Sequence, residues 1–344
     1  MSPAQHPPIL IADIGGTNAR FALADPSARP PLLVESIRRY SVSDFPSLQA
    51  TAAEYLRDIG AKPRRAVFAI AGHIDDGVVR ATNSPWHIVA DTARHALNLE
   101  SVRLINDFAA QSMCLPLLGP GDSTVIGKPM APVIGCRDPQ TFAVIGPGTG
   151  LGVGALLLRE DRFRPLETEG GHCGYAPDTP EEIDILTYLA SRFGHVSNER
   201  LISGSGLTNL YQALAEIDGD TVEPLAPEQI TRRAQKGEDA LCTRTVERFC
   251  AIFGSVVGDA VLSLGGWDGA YLAGGLPPLL VPWLRQGTFR HRFEDKGRLS
   301  PAMRDVPTLV ITHPHAGLLG AAASAVVEAG GSLIDAPTTH AAIL

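Results

Sequence analysis

Apolar positions concentrate in two stretches that share one design. Residues 9–24, ILIADIGGTNARFALA, run as an apolar strand, a glycine turn and a second strand, and the turn is short enough to predict a hairpin. The same design returns at residues 141–158, TFAVIGPGTGLGVGALLL. Two such copies, separated by about a hundred and thirty residues, predict two related half-molecules and not one long Rossmann sheet.

Between and beyond the hairpins the pattern predicts a mixed α/β chain. The first half reads as a helix at 45–58, a buried strand at 66–71, short strands at 78–82 and 102–105, and a closing helix at 108–115. In the second half the best-marked helix is 180–193. Thr179 and Glu182 are spaced as a capping box, Pro180 takes the first helical position and Gly194 follows the end. Its expected apolar face is Ile183, Leu186, Ala190 and Phe193. Further helices are expected at 206–217, 227–236 and 238–264, the last with Gly254 and Gly258 spaced for close helix contact. Strands at 269–273 and 308–312 precede a final helix at 317–329 and a frayed tail.

The length of 344 residues suggests two domains. Glycine (35) and proline (27) are raised without reaching a low-complexity composition. A net charge of −8 argues against a nucleic-acid binder driven by charge. Five cysteines with no C-x-x-C pair predict neither a disulfide framework nor a four-thiolate zinc site, and point to reduced cytosolic thiols. The first eight residues lack a secretory pattern. Residues 246–264 carry Glu247, Arg248 and Asp259, and residues 317–327 are too few to span a bilayer. The expectation is a soluble, cytoplasmic protein.

The glycine turns fit neither common nucleotide motif. Gly127-Lys128 is followed by proline and lacks Walker A spacing, while Gly146, Gly148, Gly150, Gly152 and Gly154 alternate with period two and run on into a strand. A glycine hairpin turn can either simply turn or expose consecutive backbone N–H groups as a nest for phosphate oxygens, with Thr17 and Thr149 adding hydroxyls. Asp13 ends the first strand before Gly15 and Gly16, where the second copy has Gly146. It reads equally as a turn-stabilising residue or as a holder of Mg²⁺ through water.

Asn106-Asp107 close a strand and open a helix, so Asp107 reads as a helix cap, a proton acceptor, or both. The helix N-terminus is expected to lower its pKa. The loop 167–177, ETEGGHCGYAP, brings Glu169 and His172 around two glycines, a set suited to hydrogen bonding a polyhydroxylated ligand. His172-Cys173 and His313-Pro314-His315 lack the further ligands a zinc site needs. Glu199 either joins Glu169 and His172 or is a solvated residue at a helix start.

Taken together, LIADIGGTNARFAL, LINDFAAQS, GPGTGLGVG, ETEGGHCGYAP, HVSNERLISGSGLTNLYQA, YLAGGLPP and HPHAGLLGAAA resemble, in order, the bacterial ATP-dependent glucokinase family of the hexokinase and actin superfamily. The resemblance spans residues 10–323. It implies a duplicated actin-like (ribonuclease H-like) ATPase fold, α/β in class, with two domains and a central cleft: 1–110 with about 317–344, and 111–316. It implies glucose and ATP as partners, Mg²⁺ as cofactor, glucose 6-phosphate as product at the start of glycolysis, and a homodimer. By the same resemblance Asp107 is the catalytic base, and Asn106, Glu169, His172, Glu199 and Asn83 meet the sugar. Asp13, Gly15, Gly16, Thr17, Asn18, Gly148, Thr149, Gly150, Gly274 and Gly275 meet the nucleotide, and Asp13 holds Mg²⁺ through water. Zinc-containing relatives carry C-x-C-G-x-x-G-C after the sugar-binding His; here only Cys173-Gly174-Tyr175 follows, which resembles the zinc-free branch.

Rival readings are a kinase of fructose, mannose or an acylated amino sugar, and a non-catalytic sugar sensor or scaffold. A DNA-binding regulator is expected to need a helix-turn-helix module, and the first strand begins by Ile9.

Overall fold

The computed structural model describes residues 7–80, 85–127 and 132–334. The predicted hairpins both form, and each begins a sheet. In the first, β1 (Ile9–Ile14) and β2 (Asn18–Ala24) are antiparallel, β3 (Leu32–Ser41) continues the meander, and α1 (Leu48–Ile59) covers one face. Then β4 (Arg65–Ile70) returns parallel to β1. A three-stranded flap of β5 (His73–Asp75), β6 (Val78–Arg80) and β7 (Ile88–Val89) and helix α2 (Ala90–Ala96) lead to β8 (Ser101–Asn106), parallel to β4. The order is β3-β2-β1-β4-β8. Helix α3 (Asp107–Met113) follows without a break.

The second sheet repeats that plan. Its edge strand β9 (Ser123–Ile126) is followed by the meander β10 (Gln140–Pro147), β11 (Leu151–Arg159) and β12 (Arg162–Thr168). Four helices come next: α4 (Pro180–Phe193), α5 (Gly204–Asp218), α6 (Pro227–Lys236) and α7 (Ala240–Leu264). Strand β13 (Gly269–Leu272) runs parallel to β10. Helices α8 (Pro277–Leu284), α9 (Thr288–Glu294) and α10 (Ser300–Arg304) lead to β14 (Thr308–Ile311), parallel to β13, and to the last helix α11 (Ala316–Glu328). The order β12-β11-β10-β13-β14-β9 matches the first sheet with one antiparallel strand added. The duplication read from two hairpins is thus a duplication of whole sheets.

One core joins the halves. Ile11, Val67 and Ile105 of the first sheet and Phe142, Val144 and Tyr271 of the second share a buried cluster with Ala110 and Met113 of α3 and Leu318 and Ala322 of α11. The two helices meet closely: a Cβ on Gly320 would overlap Ala110 O. Phe108 of α3 occupies the space left by Gly152 on β11. This packing holds the start of α3 against the strands that flank the second glycine turn.

The structure differs from the expected pattern in α4. Thr179 Oγ1 accepts the Glu182 N–H at 3.2 Å, but the Glu182 carboxylate does not complete the capping box. It is fully buried and accepts hydrogen bonds from Tyr175 Oη and the Asp178 N–H, both at 2.9 Å, and from Arg292 Nη1 at 2.8 Å. The inward face is therefore Glu182, Ile185 and Leu189, with Leu186 and Phe193 of the expected face packed beside it, while Ile183 is 54% exposed and Ala190 also faces out. The helix is rotated from its apolar stripe because a paired charge occupies the interior. Gly254 and Gly258 do serve close contact, since a Cβ at either would press on Phe289 O or Phe293 O of α9. The tail expected to fray lies mostly outside the described residues.

Candidate active site

A cavity of about 550 Å³ opens where the strands of both sheets end, and residues of both glycine turns line it. Asp13, Gly15, Gly16, Thr17 and Asn18 come from the first turn, and Gly148, Thr149 and Gly150 from the second. Asn106 and Asp107 come from the β8–α3 junction, Glu169 and His172 from the loop after β12, and Glu199 from the segment before α5. Gly274 reaches the cavity; Gly275 is not in its wall, and a Cβ there would meet open space. Asn83 lies outside the described residues.

Asp107 sits at N1 of α3, and Asn106 is the cap. Asn106 Oδ1 accepts the N–H groups of Phe108 at 2.8 Å and Ala109 at 3.3 Å, while its Nδ2 donates to Gly72 O at 3.2 Å. Most of the Asn106 side chain is thereby committed to holding its own junction. Asp107 Oδ1 accepts the Phe108 N–H at 3.0 Å. The expected lowering of its pKa does not occur. Burial pushes the carboxyl up to about 6, the charge of Asp13 adds to the rise, and the Phe108 N–H only partly opposes it. The helix N-terminus loses to desolvation here.

Asp13 is likewise raised by burial, with Arg20 acting against the rise. Arg20 Nη1 lies 3.2 Å from Asp13 Oδ2. Arg20 lines the cavity and was absent from the sequence reading, although the hairpin register pairs Asp13 directly with Arg20. Gln111, one turn beyond Asp107 on α3, also lines the cavity, and its Oε1 is buried without a partner. The helical i, i+4 spacing was the available signal.

The phosphate nest is narrower than the run of glycines suggests. Gly15 N–H closes its own turn onto Asn18 O at 3.0 Å, and Gly148 N–H onto Gly150 O at 2.8 Å. Gly146 and Gly152 make room for Ala273 O and the Phe108 ring. Among the described residues, the N–H groups of Gly16, Thr17, Thr149 and Gly150 donate to no protein acceptor. These four residues line the same cavity as Asp13 and Asp107.

His172 Nε2 and Glu169 Oε2 are 3.9 Å apart, and both side chains are largely exposed to the cavity and solvent. Glu199 is not a solvated helix-start residue: its Oε2 accepts the Leu151 N–H at 2.9 Å. His313 and His315 form a local structure at the start of α11, with His313 Nδ1 accepting the His315 N–H at 3.1 Å. Among the described residues no three His, Cys, Asp or Glu side chains stand together as metal ligands. No helix among them is long and apolar enough to cross a membrane.

Comparison with known proteins points one way. The family model described as Glucokinase matches residues 10–328. The chain is 52% identical over 322 residues to a glucokinase of Stenotrophomonas maltophilia, covering 94% of this chain and 96% of that one. It is 51% identical over 326 residues to a glucokinase of Xylella fastidiosa, with the same coverage. Among solved structures, a glucokinase from an Antarctic psychrotroph superposes with a TM-score of 0.81 at 36% identity, over 92% of this chain and 98% of that one. A Balamuthia mandrillaris glucokinase, solved with glucose, shares the fold with a TM-score of 0.79 at 20% identity, over 95% of each chain.

Proposed function

Because the chain belongs to the glucokinase family, we propose that it transfers the terminal phosphoryl group of ATP to the 6-hydroxyl of glucose, giving glucose 6-phosphate and ADP. One observation carries this reading at the level of residues. A single cavity is lined by the half-buried Asp107 carboxylate, by the polar side chains of Glu169, His172 and Glu199, and by both glycine turns with their unpaired N–H groups.

Asp107 orients the sugar hydroxyl and takes its proton as attack proceeds. Phosphoryl transfer through a loose transition state asks little more of a base than that. Asn106, Glu169, His172 and Glu199 hold the remaining hydroxyls, with Asn106 offering only the part of its amide not used in capping. The N–H groups of Gly16, Thr17, Thr149 and Gly150 and the guanidinium of Arg20 meet the phosphates. The adenine of ATP lies by Gly274 and Gly275, ahead of the start of α8. Asp13 fits a role in holding Mg²⁺ through water, since its half-buried carboxylate lines the cavity and its pKa stays raised despite Arg20 beside it. When bound, Mg²⁺ neutralises phosphate charge.

On this reading residues 1–110 with those from about 317 onward form one domain and 111–316 the other, and the cleft between them excludes water on closing. The protein is cytoplasmic, uses ATP as donor, opens glycolysis and assembles as a homodimer. The test is a comparison of kcat/KM for glucose, fructose, mannose and N-acetylglucosamine with Mg·ATP. Glucose is expected to lead by at least about tenfold, a margin within reach of a few differing hydrogen bonds. A clear preference for another hexose, or no turnover of any, defeats the reading.

A further inference from the structure

The structure assigns Glu199 a second task, an inference that rests on the function proposed above: its carboxylate ties the sugar-binding loop to the second glycine turn, so that each site sets the geometry of the other. Glu199 is half-buried and lines the cavity. Its Oε2 accepts the Leu151 N–H at 2.9 Å, at the point where the turn becomes β11. Its Oε1 accepts no hydrogen bond among the described residues. A carboxylate has enough lone pairs to hold a backbone N–H with one oxygen and a sugar hydroxyl with the other.

Gly150 supports the assignment from the opposite side. It does not have a left-handed φ, so its backbone does not demand glycine. What a side chain there would meet is Glu199 itself: a Cβ on Gly150 would overlap Oε2 and push the carboxylate aside.

Backbone contacts extend the link in both directions. Gly204 N–H donates to Gly148 O at 2.8 Å, securing the segment to the turn. Asn198 N–H donates to Cys173 O and Tyr175 N–H to Val196 O, both at 2.9 Å, and Gly174 bridges to Ser197, securing it to the loop that carries His172. A hydroxyl that orders Glu199 therefore also orders Leu151 N–H and, next to it, the open N–H groups of Thr149 and Gly150. Linkage makes the effect reciprocal: the factor by which sugar tightens nucleotide binding is the factor by which nucleotide tightens sugar binding.

Isothermal titration of the full-length protein with glucose and with ADP, each alone and with the other present, tests this. In the unsubstituted protein each ligand is expected to tighten the other about tenfold, within the usual range of coupling between sites. Gly150→Ala is expected to weaken glucose binding about tenfold in the absence of nucleotide, although residue 150 belongs to the phosphate turn. Glu199→Ala is expected to weaken ADP binding in the absence of sugar. Glu199→Gln keeps a carbonyl oxygen for Leu151 N–H, so it should restore ADP affinity while glucose affinity stays low. Folding of each variant is checked by circular dichroism, and the two Glu199 variants decide the matter if Gly150→Ala does not fold. The inference is overturned if folded Gly150→Ala binds glucose normally, or if Glu199→Ala binds ADP as tightly as the unsubstituted protein does. Failure of the unsubstituted protein to bind glucose at all would instead overturn the proposed function.

Discussion

Asp107 owes its state to a contest between a helix N-terminus and burial. Burial wins, leaving a carboxyl that titrates at about 6. A base must be ionised, so kcat/KM is expected to fall about tenfold per pH unit below 6 and to level off above 7 in a pH-rate profile. A profile flat down to pH 5 would contradict that value. The stability sign is opposite. Because the folded-state pKa lies above the ordinary 3.8, the folded protein gains from protonation of Asp107 at low pH and loses that gain as pH rises through about 6. Asp107→Asn removes the buried charge and leaves the Asn106 cap in place. It should lower kcat by orders of magnitude yet melt higher at pH 7.5, by at most about 3 kcal/mol of stability, with the difference shrinking toward pH 4. A variant with near-normal turnover would refute the assigned base. At this scale the chain was readable where a residue type and a strand end coincide, as at Asp13, Asn106 and Asp107, and where Glu169 and His172 share a glycine-containing loop. Arg20 was hidden because it is seven residues from Asp13 in the chain and adjacent only across the hairpin. The raised pKa was hidden because burial is a property of the packed site.

Helix α4 shows what periodicity misses between elements. Its ends were legible, since a cap, a first-turn proline and a terminal glycine act locally. Its orientation was not, because Glu182 points inward to meet Arg292 and Arg248 from α9 and α7. Burial alone would raise the Glu182 carboxyl, but the hydrogen bond and charge of Arg292 hold it at about 2. Its contribution to stability is therefore present at neutral pH and lost only as pH falls from the ordinary carboxylate range through about 2. Glu182→Gln should cost about 3 kcal/mol, because it removes the fully buried carboxylate shared by Arg292 and Arg248 and leaves them only the more exposed Asp178 and Glu181, whereas Thr179→Ala should cost about 1 kcal/mol. Urea denaturation of the two variants measures both, and equal small losses would show that the buried pair contributes no more than a cap. Strands β3 and β12 escaped the sequence reading for a related reason. Each carries charged residues on an edge, as in Arg38-Arg39 and Arg162, Arg164 and Glu167, so neither shows a clean apolar alternation.

Across the whole molecule, α3 and α11 lie in a core shared by both sheets, while the cavity-lining residues come from the ends of both. A cavity with walls from two sheets narrows when the sheets move relative to one another. Glucose is therefore expected to compact the protein, lowering its radius of gyration by about 1 Å, the scale of a domain closing on its ligand. Small-angle scattering with and without glucose measures this; an unchanged radius would mean that the cleft binds sugar without closing. The amino-acid sequence by itself determined the two glycine hairpins, the duplicated plan, the strand-to-helix junction at Asn106-Asp107 and the helix ends, because turns, caps and alternation act over a few residues. Only the tertiary structure decided which face of α4 is inside, that Asn106 caps α3, that Asp107 titrates near 6 and that Glu199 grips the second turn. Those properties arise from desolvation and from contacts between segments far apart in the chain, and neither exists until the two sheets have packed around α3 and α11.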